Sequence, residues 1–193
     1  MNNQLSSKKL ERPSESQMAV TFIDDILRRI REVLRNCRDS YGSVLAVHAT
    51  VFPGSGAEKG NLAMSSFVRI YRERLKRKGV EFRFVQCQEI CPKTKRQHHH
   101  LYLFFDGRKW SRGFYDAMSL KECWEQASRA TGAVSGSSVS FRKWDNQQWG
   151  RLYNLANQAE MDALYNAARY LAKTYSKDGD IGRRFSASHI RHS

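Results

Sequence analysis

Apolar residues recur along this chain with two different periods, and the switches between them predict its elements. Ile23, Ile26, Leu27, Ile30, Val33 and Leu34 fall at helical spacing. Residues 20–38 are therefore expected to form an amphipathic helix, with Arg28, Arg29, Arg31 and Arg35 largely outside and Tyr41-Gly42-Ser43 ending it. Residues 44–52 are β-branched and apolar and are closed by Pro53-Gly54-Ser55-Gly56, the profile of a buried strand followed by a loop. A second helix follows, with Leu62, Phe67, Ile70, Tyr71 and Leu75 along one side and Gly79 as its terminator. Residues 80–90 and 98–105 are expected as two strands of an antiparallel hairpin around Pro92-Lys93-Thr94-Lys95. Residues 119–131 suggest a helix carrying Leu120, Cys123, Trp124 and Ala127, with Trp124 in the core. Residues 138–144 alternate like another strand. Residues 160–177 are expected as one last helix, with Leu164, Ala167, Ala168 and Leu171 on its apolar side.

The order helix, strand, helix, hairpin, helix, strand, helix predicts an α+β fold, ferredoxin-like in outline. An antiparallel sheet with helices on one face fits this order better than a doubly wound parallel sheet. Residues 1–17 lack apolar periodicity and are expected to be a flexible leader, leaving 18–193 as a single domain.

Charge adds a partner. Lys and Arg number 33 against 19 Asp and Glu, a formal charge of +14, which points to a polyanion. With 40% hydrophobic and 11% aromatic residues, that charge sits on a folded domain and not on a disordered basic tail. Arg69, Arg72, Lys76 and Arg77 on the second helix, with Arg183 and Arg184 near the end of the chain, are the residues expected to meet phosphate. No apolar run approaches the roughly 18 residues a membrane span requires, and the first residues lack a signal core, so a cytoplasmic protein is expected. Cys37, Cys87, Cys91 and Cys123 are too few and too unevenly spaced for a disulfide framework, and reduced thiols are expected.

Candidate chemistry lies in Gln97-His98-His99-His100-Leu101-Tyr102-Leu103. On a strand His98 and His100 point the same way, and two adjacent imidazoles invite a metal. Tyr102 shares their face, while His99 turns away with Leu101 and Leu103. A third ligand depends on register across the hairpin. Glu89 joins if it faces His98, whereas a slip of one residue offers Gln88 instead. The second element is Tyr170-Leu171-Ala172-Lys173, whose spacing sets a phenol beside an ammonium on neighbouring helix faces. A tyrosine can act as a nucleophile when a cation such as Lys173 favours the phenolate or the charged transition state.

Taken in order, these pieces resemble the HUH endonucleases, and within them the single-tyrosine replication initiators. More narrowly, the chain looks like the inovirus replication protein and YagK/YfjJ C-terminal domain families. The resemblance runs from about Ser43 to His189. It takes in the strand ending in Phe52-Pro53, Gln88-Glu89, the His-x-His strand, the Leu120 to Trp124 helix, Tyr170-Leu171-Ala172-Lys173 and Arg184-Phe185-Ser186-Ala187-Ser188. It implies an HUH/RRM-like sheet and a rolling-circle initiator that nicks single-stranded origin DNA, remaining joined to the 5′ phosphate through tyrosine. Residue by residue it implies His98 and His100 as ligands of Mg²⁺ or Mn²⁺, Glu89 as the third, Tyr170 as nucleophile and Lys173 as its helper. The expected partners are single-stranded DNA at a replication origin and a helicase of a bacterial host, with no small-molecule cofactor. The chain departs from the family pattern in carrying His99 where a bulky hydrophobic residue is usual, which leaves open which two of the three histidines bind metal. It also lacks a Tyr-x-x-x-Tyr pair, which favours a single nucleophile.

Two rival readings stand beside this one. A non-catalytic DNA-binding regulatory module could use the same sheet. Alternatively, Cys87, Cys91, His98 and His100 could hold a structural zinc in a nucleic-acid-binding protein.

Overall fold

The computed structural model describes residues 15–56, 62–90, 96–109, 114–143, 150–173 and 185–188. Their elements run α1 (Glu15–Tyr41), β1 (Ser43–Phe52), α2 (Leu62–Lys76), β2 (Phe82–Ile90), β3 (Gln97–Asp106) and α3 (Phe114–Ala130). There follow β4 (Ser138–Phe141), β5 (Arg151–Asn154), α4 (Gln158–Ala168), α5 (Tyr170–Lys173) and β6 (Phe185–Ala187). The strands form one sheet in the order β4-β1-β3-β2-β6, and β5 also pairs with β1. Every pairing is antiparallel, so the fold is α+β.

The three long central strands bury side chains on both sides. Leu45, Val47, Ala49 and Val51 of β1 and Leu101, Leu103 and Phe105 of β3 meet Phe67, Tyr71 and Leu75 of α2 and Leu120, Cys123 and Trp124 of α3. The alternate residues, among them Val44 and Ala46 of β1, Val85 and Cys87 of β2 and Tyr102 and Phe104 of β3, meet Ile30 and Leu34 of α1, Leu164 of α4 and Leu171 of α5. Helices therefore cover both faces, where one face was expected. The nearly unbroken apolar run of β1 is what a strand covered on both sides carries, whereas a half-solvated antiparallel strand alternates. Trp124 is fully buried, as expected, and its indole N–H donates to the carbonyl of Phe52 at 2.8 Å. Truncating such a core aromatic to alanine costs about 3–5 kcal/mol.

Local signals set the boundaries. Gly79, at φ 70, closes α2, where the Val80 N–H reaches back to the carbonyl of Leu75 at 3.0 Å. Gly54 brings the loop after β1 against the carbonyl of Ser135, where a Cβ would not fit. α1 begins at Glu15, inside the stretch expected as leader. The expected last helix is divided: α4 stops at Ala168, Arg169 caps it, and α5 starts at Tyr170. The Ala167 carbonyl, which an unbroken helix would present to residue 171, receives the hydroxyl of Tyr102 instead, the kind of side-chain insertion that accompanies helix kinks. β5 and β6 were not expected, because β5 buries Tyr153 alone and β6 spans three residues, too little for a period to show.

Candidate metal centre and tyrosine segment

β2 and β3 pair so that Glu89 stands directly across from His98, and Cys87 across from His100. This is the register that brings the carboxylate to the histidine face. Glu89 Oε2 lies 3.4 Å from His98 Nε2 and 3.5 Å from His100 Nε2. Ligand atoms of all three residues fall within 4.8 Å of one another. The rings of His98 and His100 sit 5.0 Å apart at 81°, which lets both Nε2 atoms converge on one point. Their side chains are only 13% and 17% exposed, and that of Glu89 12%. Two imidazoles and a carboxylate form a mixed donor set that suits a divalent ion, and these residues could hold one.

Neighbours on β1 orient the rings. Thr50 pairs with His100 across the strands, and its hydroxyl lies 3.2 Å from His100 Nδ1. Engaging Nδ1 leaves Nε2 directed at Glu89, the role that outer partners of metal-binding histidines play. Phe52 stacks on His98 at 5.4 Å. His48 lies deeper on the same face, stacked on Tyr102 at 4.4 Å and 3°, with its ring 5.8 Å from that of His100. Burial, helped by His100 and Arg142, pushes the His48 imidazole down to about 3, so it stays neutral.

The geometry separates the three histidines. His99 is fully buried on the opposite face, near Trp124. Its Nδ1 lies 3.1 Å from the Gln86 carbonyl oxygen and its Nε2 3.1 Å from the Gln97 amide nitrogen. An amide carbonyl only accepts and an amide NH₂ only donates, so the ring is neutral with its proton on Nδ1. Burial pushes its pKa down to about 3. The Gln86 amide nitrogen donates in turn to Ser186 Oγ at 2.9 Å, tying β3 to β6 through two buried side chains. Gln88 pairs with His99 and shares its face, so it turns away from His98 and His100. Cys87 is buried, and Cys91 of the zinc alternative lies outside the described residues.

Tyr170 opens α5 and is 52% exposed. The next two residues, Leu171 and Ala172, are buried in the cluster that holds Cys87 and Tyr102, so α5 sits on the face of the sheet that carries His98 and His100. Tyr102, on that same face, has a committed hydroxyl. It donates to the carbonyl of Ala167 at 3.1 Å, and burial pushes its pKa up to about 12. Lys173 ends α5, while Tyr175, Arg183 and Arg184 lie outside the described residues.

The basic residues of α2 fall elsewhere. Arg69, Arg72, Lys76 and Arg77 are exposed, but α2 packs on the face opposite the Glu89 cluster. Arg72 lies over the ring of Phe82 at 5.9 Å. The sequence reading missed Thr50, His48 and Arg142. Thr50 and His48 sit at period-two spacing on β1, a signal that becomes informative only once β1 is known to lie beside β3. Among the described residues, no helix is long and apolar enough to cross a membrane.

A solved structure of the N-terminal nuclease domain of minute virus of mice non-structural protein-1, described as having Zn²⁺ coordinated in its active-site pocket, is similar at 10% identity. That match has a TM-score of 0.31 and covers 94% of this chain and 75% of the other. A search of curated protein sequences finds no match. The model of the replication-associated protein family named for ORF2 and the gene 2 protein matches residues 50–179, a span that takes in Glu89, His98, His100 and Tyr170, and the chain belongs to that family.

Proposed function

We propose that this replication-associated protein is a rolling-circle initiator that nicks single-stranded origin DNA with Tyr170 as the nucleophile. The observation that carries this reading is the convergence of Glu89, His98 and His100 on the face of the sheet where α5 presents a half-exposed Tyr170. In the reaction the Tyr170 oxygen forms a bond to phosphorus while the bond from phosphorus to the 3′ oxygen breaks. The phenol proton ends on the departing 3′ oxygen, and the strand remains attached through a tyrosine 5′-phosphate diester. One phosphodiester replaces another, so the step reverses readily and can rejoin ends. Lys173 contributes positive charge that favours the phenolate and the charged transition state. A divalent ion, Mg²⁺ or Mn²⁺, when bound by His98, His100 and Glu89, supplies Lewis-acid polarisation of the scissile phosphate. The remaining residues hold that ligand set still: Thr50 fixes the His100 ring, and Tyr102 anchors the end of α4.

The deciding experiment incubates the protein with a pool of single-stranded DNA, with and without Mn²⁺, followed by denaturing gels and peptide mass spectrometry. A metal-dependent adduct on Tyr170 that disappears in Tyr170→Phe supports the reading. Tight DNA binding with no adduct in any metal or sequence, the native origin included, overturns it.

A further inference from the structure

A strand presented to Tyr170 has to approach the face of the sheet on which α5 sits, and the basic surface of α2 is on the other face. On the near face, α1 and α4 enclose a cavity of about 280 Å³ lined by Arg31, Arg35, Arg38, Gln158, Asp162 and Tyr165, among others. The three arginines fall at i, i+4 and i+7 and so form one stripe along α1. Arg38 pairs with Asp39 at 3.1 Å, and Asp162 accepts from the Gln158 amide at 2.8 Å. Arg31 and Arg35 have no carboxylate within ion-pair distance among the described residues, so the groove keeps uncompensated positive charge. The Arg31 guanidinium lies over the Tyr165 ring at 4.8 Å, which holds a cationic plane at the groove wall. On α4 the spacing Gln158, Asp162, Tyr165 continues to the exposed Arg169, the residue immediately before Tyr170.

We propose that the groove between α1 and α4 binds single-stranded DNA and leads it toward Tyr170, with Arg31 and Arg35 contacting phosphates and the basic face of α2 taking no part. The inference rests on the nicking reading for its direction but not for its binding. Charge complementarity commits the groove to a polyanion. The fixed Arg31–Tyr165 pair and the continuation to Arg169 favour a flexible single strand over a rigid duplex.

The test measures binding of a fluorescent oligothymidylate to the full chain, without metal, across a range of salt concentrations. For Arg31→Gln/Arg35→Gln, with the thermal melt confirming an intact fold, affinity falls about tenfold. The slope of log K against log salt falls by about 1.4, the value for two lost phosphate contacts. The variant Arg69→Gln/Arg72→Gln/Lys76→Gln/Arg77→Gln keeps the wild-type slope. Photocrosslinking of a bromodeoxyuridine-substituted strand, read by mass spectrometry, labels peptides of α1 and α4. Unchanged affinity in the groove variant, or a lost slope and crosslinks confined to α2, overturns the proposal. Groove binding by a protein that forms no adduct on Tyr170 leaves the proposal standing and overturns nicking instead.

Discussion

The hydroxyl of Tyr102 donates to the carbonyl oxygen of Ala167 at 3.1 Å, joining the strand of His98 and His100 to the helix end that precedes Tyr170. Ala167 is in the last turn of α4, where carbonyls lack helical partners. Tyr102→Phe is therefore expected to lower stability by about 1 kcal/mol in thermal melts. It should also reduce the rate of adduct formation more than the affinity for Mn²⁺, since the ligand cluster does not use this hydroxyl. Equal losses in both would show that the bond supports the cluster and not the tyrosine segment.

His98→Ala and His100→Ala are each expected to abolish Mn²⁺ binding measured by calorimetry, and Glu89→Gln to weaken it. Thr50→Val keeps the shape of the residue but removes the partner of His100 Nδ1. It should weaken binding about 10- to 100-fold, the range seen when a partner of a ligating histidine is lost.

His99→Leu makes the opposite separation. It strands Gln86 and Gln97 in a dry environment, so stability should drop by about 2–3 kcal/mol, while Mn²⁺ affinity changes far less than in His98→Ala. A loss of metal binding equal to that of His98→Ala, in protein still folded at the assay temperature, would make His99 a ligand.

Alkaline pH should destabilise the fold through Cys37. Burial, offset slightly by Arg83, pushes this thiol up to about 12 from an ordinary value of 9.0. An acid whose pKa is raised by folding contributes its full stability below the ordinary value, and that contribution drains away as pH rises from about 9 toward 12. The slope reaches about 1.4 kcal/mol per pH unit. Urea melts between pH 8 and pH 11 should show it, and Cys37→Ala should flatten it. Tyr41, also pushed up to about 12, leaves a residual slope at the top of the range.

The sequence made some of this legible and hid the rest for identifiable reasons. The pairing of His98 with His100 follows from the period of a strand, and the helical spacing of Leu164, Ala168 and Leu171 shows which side of the last helices faces the sheet. The choice of Glu89 over Gln88 depended on cross-strand register, which no local pattern specifies. Thr50 and His48 reach the site because β1 lies beside β3 although β2 comes between them in sequence. The division at Arg169 depends on a hydroxyl from a distant strand, so α4 and α5 read as one helix. The basic stripe of α2 was visible, but which face of the sheet it covers was set by packing against Leu101 and Leu103.

β3 serves both sides of the sheet by strict alternation, with His98, His100 and Tyr102 on one and His99, Leu101 and Leu103 on the other. Such a strand can change its residues one at a time but cannot change its length by one. A single inserted residue after His100 would drive leucines toward the metal cluster and imidazoles into the core. Divergent descendants of this chain should thus differ within β3 by substitution alone and accumulate their insertions and deletions in the connections between strands.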